Sequence, residues 1–396
     1  MGDPFEAIVG AGHVSRAEQE TVCGARVAAV VRPGSAGEVA ACLRAASESA
    51  IALLPVGGGT GLGLGNPLDA ASCVRLELGR LCAPAQLDPD EGVGEVEAGV
   101  TLEALARAAA ASGKSVPFDP LRAGATVGGT IAVDPLTPDA PERRLRGDLL
   151  GLELALPNGE LTRCGGRVVK NVTGFDLVRL YCGSFGSLGV VTRAVLRLRA
   201  APERTAVTRA RFPSLEAALA AAAEAVAPES PLAAAVRPVA GGAELWLRAA
   251  GSAAEVEAEL AHAPGDSVEP AAWSAVRDEL AQPPAPAGAR VQLGARPSDL
   301  PVLVRGLCAA AGDSSLRLAL PRAGIALGRV PLARVPALVE LAARAGAALL
   351  IERTPGAALA CDAFGPPPPA LALMRALKAR FDPARVLSPG RFVAGI

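Results

Sequence analysis

PVGGGTGLGLG, residues 55–65, places six glycines in eleven positions. Ordering so many glycines costs backbone entropy, so the stretch must hold something that side chains would obstruct. It follows IALLPV (51–56), which reads as a short buried strand. A Rossmann fingerprint needs GxGxxG opening a helix, and no register of residues 57–65 gives it; Asn66-Pro67 also starts no helix at the required place. A Walker A loop fails as well. Gly113-Lys114-Ser115 has the right ending, but Ala108 stands where its first glycine belongs. Two readings remain: a flexible surface loop, or a backbone nest whose N–H groups converge on an anion such as a diphosphate, with Thr60 adding a hydroxyl.

Two further small-residue loops favour the nest. FDPLRAGATVGGTIA (118–132) carries Gly124, Gly128 and Gly129, and GSFGSLGVV (183–191) is the third. Each is flanked by strand-like segments, so the three suggest one extended ligand lying across them.

The surroundings read as follows. VCGARVAAVVRP (22–33) is an entering strand that ends at Pro33, and Ser35-Ala36-Gly37-Glu38 predicts a capping box for the helix that follows. CVRLELGRL (73–81) and VGEVEAGV (93–100) are strands, the latter alternating apolar with polar residues. Thr101 caps LEALARAAAA, and Gly113 can end it. Residues 149–164 predict a hairpin turning at Asn158-Gly159, and VVTRAVLRLR (190–199) alternates again. From about residue 204, alanine-rich helices such as SLEAALAAAAEAVA alternate with short strands such as AELWLRA and SLRLAL. QPPAPAG (282–288) and GPPPPA (365–370) are stiff connectors. The order predicts two successive α+β domains and a C-terminal tail returning to the first, with no fixed-period repeat.

Composition bounds the function. With 51% hydrophobic and 20% charged residues the chain is globular, and a net charge of −1 offers no field for nucleic acid or an anionic membrane. No basic region followed by an apolar run opens the sequence, and no stretch is long and apolar enough to span a bilayer, so a cytoplasmic location is expected. The eight cysteines form no CxxC pair or cluster, which predicts free thiols and no iron–sulfur cluster held by this chain alone.

PVGGGTGLGLGNP, then VEAGVTLEALARAAAASGKSVPFDPLRAGATVGGTIA, then GGRVVKNVTGFDLVRLYCGSFGSLGVVTRAVLRLR together resemble the PCMH-type FAD-binding domain of the vanillyl-alcohol oxidase superfamily. The resemblance covers roughly residues 22–200. Within the superfamily the third stretch, WSAVRDEL (273–280) and LKARFDPARVLSPGRF are most similar to the FAD-binding E subunit of glycolate oxidase. The resemblance implies an α+β fold: an N-terminal lead (1–21), a two-part FAD-binding domain (22–203), an α+β, ferredoxin-like second domain (204–375) and a C-terminal segment (376–396) packing on the first. It implies FAD held by Pro55, Val56, Gly57, Gly58, Gly59, Thr60, Gly61 and Leu62 around the pyrophosphate. Gly124, Ala125, Thr126, Gly128 and Gly129 would line the pyrophosphate and flavin with Ile131 beside them, and Gly189 and Val190 would approach the ribose or adenine side. Where the family often has Tyr and an acid, this chain has Phe175 and Phe185. The segment VDPLTPDAPERRLRGD is short and proline-rich.

Some superfamily members tether the flavin through His or Cys. Here His13 and His262 lie outside the glycine loops, and no Cys lies between 119 and 133, so non-covalent FAD is expected. Catalytic relatives that oxidise 2-hydroxy acids add a histidine-rich metal motif in the second domain, which two histidines cannot supply. Lys170 could offset phosphate charge or make an ion pair, with Asp176 as partner or cap. Arg143, Arg144 and Arg146 could clamp a carboxylate or form a solvated loop, and Trp273 reads as a core residue under the Arg277 stem. Three functions follow. The first is an FAD-binding subunit of a glycolate oxidase-like 2-hydroxy-acid dehydrogenase, with a catalytic flavoprotein and an iron–sulfur subunit as partners. The second is a standalone flavin oxidoreductase, and the third is an assembly module without catalysis.

Overall fold

The computed structural model describes residues 4–17, 19–118, 121–136, 139, 145–167, 175–226, 232–354, 357 and 359–396. The chain divides into two compact units. One comprises Met1–Pro135, Leu145–Ala200 and Pro367–Ile396, and the other Leu136–Arg144 and Ala201–Pro366.

The first unit holds two sheets. Strands β1 (Ala25–Val31), β2 (Leu53–Val56) and β3 (Ser72–Glu77) run parallel in the order β1-β3-β2, and the short segments Val14–Arg16 and Thr21–Val22 pair antiparallel with β1. Helix α1 (Ala36–Ser49) links β1 to β2 and buries Val39, Cys42, Leu43 and Ala46. Its cap is a modified box. Ser35 accepts from the Glu38 N–H at 3.2 Å, but Glu38 reaches back to the Gly34 N–H at 2.7 Å rather than to that of Ser35.

The second sheet is antiparallel. Strands β4 (Gln86–Asp88), β5 (Val93–Glu97), β6 (Leu149–Ala155), β7 (Leu161–Gly165) and β8 (Val190–Arg197) take the order β7-β6-β8-β5-β4. Helices α2 (Leu102–Ala110), capped by Thr101, and α3 (Val127–Val133), capped by Thr126, lie between β5 and β6, and α4 (Leu177–Tyr181) precedes β8. The β6–β7 turn differs from the two-residue form expected. The Gly159 N–H donates to Leu156 and the Leu156 N–H to Glu160, so the loop is Pro157-Asn158-Gly159, with Gly159 at φ +83°. Proline fits the first central position of a type I turn, and glycine the left-handed position after it.

The second unit is a single eight-stranded antiparallel sheet. Its first half is β9 (Arg204–Phe212), α5 (Leu215–Ala225), β10 (Ala233–Val239), β11 (Gly242–Gly251), α6 (Ala253–Leu260) and β12 (Asp266–Val268). Helix α7 (Ser274–Ala281) leads to the second half: β13 (Gly288–Gly294), α8 (Leu300–Ala311), β14 (Leu316–Leu320), β15 (Ile325–Pro331), α9 (Val335–Ala345) and β16 (Ala348–Arg353). The strand order is β12-β9-β11-β10-β14-β15-β13-β16. Each half is therefore one βαββαβ ferredoxin-like motif, and the two join through their second strands at Val236 and Ala319. The repeat is topological. Its halves share no glycine or aromatic spacing, so the sequence displays no period. Both helix pairs cover one face, where Leu219, Val236, Leu245, Val291, Leu307 and Leu338 form the core.

The C-terminal segment completes the first unit. Helix α10 (Leu371–Phe381) ends above Asp382, which is fully buried. The Asp382 carboxylate accepts from Lys378 Nζ at 2.7 Å and from the Val386 and Leu387 N–H groups at 3.1 and 2.9 Å. Lys378 also donates to the carbonyls of Ser187 and Leu387. Leu53 and Leu387 then bridge in parallel, so the tail covers the open edge of β2.

Two expectations follow. Asp382→Ala leaves a buried ammonium and two N–H groups without their acceptor, and urea denaturation should show a loss of about 3–5 kcal/mol. Burial pushes the Cys42 and Cys182 thiols up to about 12, from an ordinary value of 9.0. Near neutral pH, iodoacetamide should alkylate exposed Cys82 and leave these two unmodified until the protein unfolds. The unfolded chain ionises these thiols first, so stability should fall as pH rises from about 9 toward about 12.

Candidate ligand site of the glycine loops

Strand β2 delivers Pro55 and Val56, and the chain then leaves the sheet as the glycine loop. Val56 is buried, Gly58 is exposed, and Gly57, Gly59, Thr60, Gly61 and Leu62 are half-buried. Among the described residues, no backbone or side-chain acceptor takes the N–H of Gly57, Gly58, Gly59, Thr60 or Gly61. The loop is nonetheless ordered by its own turns: the Leu62 N–H donates to Gly59 and the Leu64 N–H to Gly61. Gly59 takes φ +73°, the left-handed residue that a backbone nest requires. Five successive donors with no partner among the described residues, at a half-exposed place, suit an anion with several oxygens.

The second loop packs directly on the first. A Cβ on Gly58 would collide with the Gly124 carbonyl, and one on Gly57 with the Thr126 hydroxyl. The second loop is held from below: the Leu102 N–H donates to Ala125 at 2.8 Å, Val127 to Val100 at 3.0 Å, and Gly128 to Ala98 at 2.9 Å. A Cβ on Gly128 would stand 2.7 Å from that of Ala98, so glycine lets α3 approach the end of β5. Thr126 Oγ1 accepts from the Gly129 N–H at 3.4 Å. The two loops thus form one surface.

The other candidates fall differently. Ile131 is completely buried, and its carbonyl accepts from the Gly183 N–H, so its side chain belongs to the core. Gly189 and Val190 are buried too, Val190 in the cluster with Leu53 and Ala155, so only their backbone is available to a ligand. Asp176 caps α4 and pairs with Arg179 at 2.9 Å. Arg146 pairs with Asp134 at 3.1 Å and donates to the Cys182 carbonyl. Lys170, Arg143 and Arg144 lie outside the described residues. Trp273 is buried, its indole N–H donating to Asp139 at 2.6 Å, with Arg277 3.8 Å from the same carboxylate.

Sequence reasoning missed the loop's supports. Arg391 is buried and donates to the carbonyls of Asn66 at 2.7 Å, Leu64 at 2.6 Å and Leu62 at 3.4 Å. Burial lowers its pKa. Asn66 Nδ2 returns a bond to the Phe392 carbonyl. Phe185, at φ +55°, stacks on Phe392 with centroids 5.6 Å apart and lies against Gly65. Arg122 donates to the Thr60 carbonyl, and Glu103 accepts from the Gly124 N–H. Only SPGRF, an arginine after a turn signal, hinted at the first of these.

Residues 27–165 match the family model of the FAD binding domain. A D-lactate dehydrogenase of Archaeoglobus fulgidus is 36% identical over 191 residues, 48% of this chain and 43% of that protein. Glycolate oxidase subunit GlcD of Bacillus subtilis is 31% identical over 192 residues, 48% of this chain and 41% of that protein. The chain thus aligns with less than half the length of these relatives. The structure of p-cresol methylhydroxylase with substrate bound superposes with a TM-score of 0.73, covering 98% of this chain and 95% of that one at 16% identity, a likeness of fold. Residues 27–165 match an FAD binding domain, and the chain shares the fold of p-cresol methylhydroxylase.

Proposed function

We propose that this chain holds FAD non-covalently in the two glycine loops and serves as the FAD-binding subunit of a glycolate oxidase-like 2-hydroxy-acid dehydrogenase. The observation that carries the flavin reading is the run of N–H groups from Gly57 to Gly61 that find no acceptor among the described residues, where side chains on Gly57 and Gly58 would collide with the second loop. The residues fit a diphosphate: five donors, no acidic side chain in the loop, and no Cβ to hold the ligand off. Thr126 and Gly129 would continue the cradle, while Gly189 and Val190 would offer backbone toward the ribose. FAD, when bound, supplies the hydride acceptor. The chain's own residues would bind and orient it.

The subunit reading rests on the histidines. Oxidation of a 2-hydroxy acid needs a base of near-neutral pKa for the hydroxyl proton. His13 sits on a short turn before β1, and His262 is exposed beyond α6 in the other unit. Neither adjoins the loops in sequence, so proton abstraction falls to a catalytic flavoprotein partner, with an iron–sulfur subunit carrying electrons onward. The likeness to GlcD, itself named as a glycolate oxidase subunit, supports this membership. Among the described residues no helix is long and apolar enough to cross a membrane.

The purified chain should be yellow and release free FAD on acid precipitation, and glycolate or D-lactate should leave that flavin oxidised. Bleaching by either acid would overturn the subunit reading in favour of a standalone oxidoreductase. A colourless protein that takes up no added FAD would overturn the flavin reading. Gly58→Ala should weaken FAD binding by about thirtyfold, ~2 kcal/mol, in a fluorescence titration. Arg391→Met should cost about 3 kcal/mol of unfolding free energy, since three carbonyls lose their donor. It should also lower FAD retention, and Arg391→Lys should restore only part, because an ammonium lacks the planar fork that spans the three.

A further inference from the structure

The two motifs of the second unit meet at a seam, and the seam is a single bridge pair, Val236 of β10 with Ala319 of β14. A proline follows two residues after that pair on each strand, Pro238 and Pro321, and neither has an N–H to give to a ladder. Strand β14 also bulges between Leu316 and Leu318. The pairing therefore stops early. A cavity of about 730 Å³ lies beside it, walled by the start of α5, the β10–β11 turn and one face of α8.

The wall is apolar: Leu215 of α5, Val239 of β10, Val304 of α8 and Leu316 of β14. The exposed part of the lining carries charge of both signs. Arg305 stands on α8, Glu216 in the first turn of α5, and Asp313 just beyond the end of α8. Among the described residues none of these three makes a hydrogen bond or an ion pair. Arg317, which also lines the cavity, is by contrast held by Glu279 at 2.9 Å. Burial, then Asp313, then Glu216 push the Cys308 thiol up, so the thiol adds an uncharged surface near neutral pH and the two carboxylates act on the same side of the cavity.

The charge pattern selects the occupant. A ligand with one charge would meet a group of its own sign, and an apolar one would bury part of the charged lining without a partner. A zwitterion with an apolar body meets all of it. Its carboxylate suits the fork of Arg305, its ammonium suits Glu216 and Asp313, and its side chain takes the apolar wall. We propose that this seam cavity binds a free α-amino acid with an apolar side chain. Such a ligand would touch both motifs and add to a seam that has one bridge pair of its own, so binding should raise the melting temperature. The site lies wholly in the second unit and does not rest on the flavin reading.

The test uses the full chain as purified, with flavin content read from its absorbance. Calorimetric titrations are run with L-leucine, with 4-methylpentanoate, which lacks the ammonium, with L-leucinamide, which lacks the carboxylate, and with glycine, which lacks the side chain. L-leucine should bind and raise the melting temperature, and each analogue should bind about tenfold more weakly or worse. Arg305→Gln and Glu216→Gln, both at exposed positions, should weaken L-leucine about tenfold with flavin content and the ligand-free melting temperature unchanged. Ala309 is exposed and lines the cavity, so Ala309→Phe should abolish binding by filling it. No binding of L-leucine by the wild type, or wild-type affinity in both Arg305→Gln and Ala309→Phe, overturns the proposal. An analogue that binds as tightly as L-leucine overturns the ligand class. A colourless protein that binds L-leucine in this residue-dependent way upholds the site and sinks the flavin reading, and a yellow protein that binds none does the reverse.

Discussion

Contact between two glycine loops organises the first unit. Gly57 and Gly58 lie so close to the second loop that a Cβ would displace the Thr126 side chain at the first position and the Gly124 backbone at the second. That closeness keeps side chains off Gly57 and Gly58, whose N–H groups find no acceptor among the described residues. It also ties the parallel sheet, which delivers the first loop, to the antiparallel sheet, whose strand β5 and helix α3 carry the second. The shared core agrees: Ala155 and Val190 of the second sheet pack with Leu43 and Leu53 of the first.

Two turn bonds order the loop from within, and the rest of its shape is imposed from outside. The imposing groups are charged and buried, an expensive choice unless every bond is made. Arg391 makes three to carbonyls of the loop's second half. Lys378 and Asp382 hold the segment that carries Arg391, and Phe185 stacks between loop and tail. The carbonyls of Thr60, Leu62 and Leu64 are thus held by Arg122 and Arg391.

What was legible in the sequence was local chemistry. Ser35 and Thr101 cap their helices because a cap depends on three neighbouring residues. The glycine loop could be set apart from the Rossmann and Walker A motifs because those have fixed spacings that residues 57–65 and 108–115 do not meet. The hairpin was read one residue short, since Asn158-Gly159 is the stronger dipeptide signal and Pro157 decides the turn type only through the geometry of both strands. The duplicated βαββαβ motif stayed hidden because strand order is a property of pairing, to which no side-chain period corresponds. Arg391 stayed hidden for the same reason at longer range: 325 residues separate it from Asn66.

That separation has a meaning in time. A ribosome adds about 5–20 residues per second, so the glycine loop waits roughly 15–65 s for the arginine that fixes it. During synthesis the whole second unit emerges between them and can fold on its own core. The first unit is therefore the last part to be finished, although it holds the first residues made. Premature termination after the second unit would yield a chain with both glycine loops present and the first lacking its Arg391 clamp, a product for which quality control has a simple criterion, an unclamped loop.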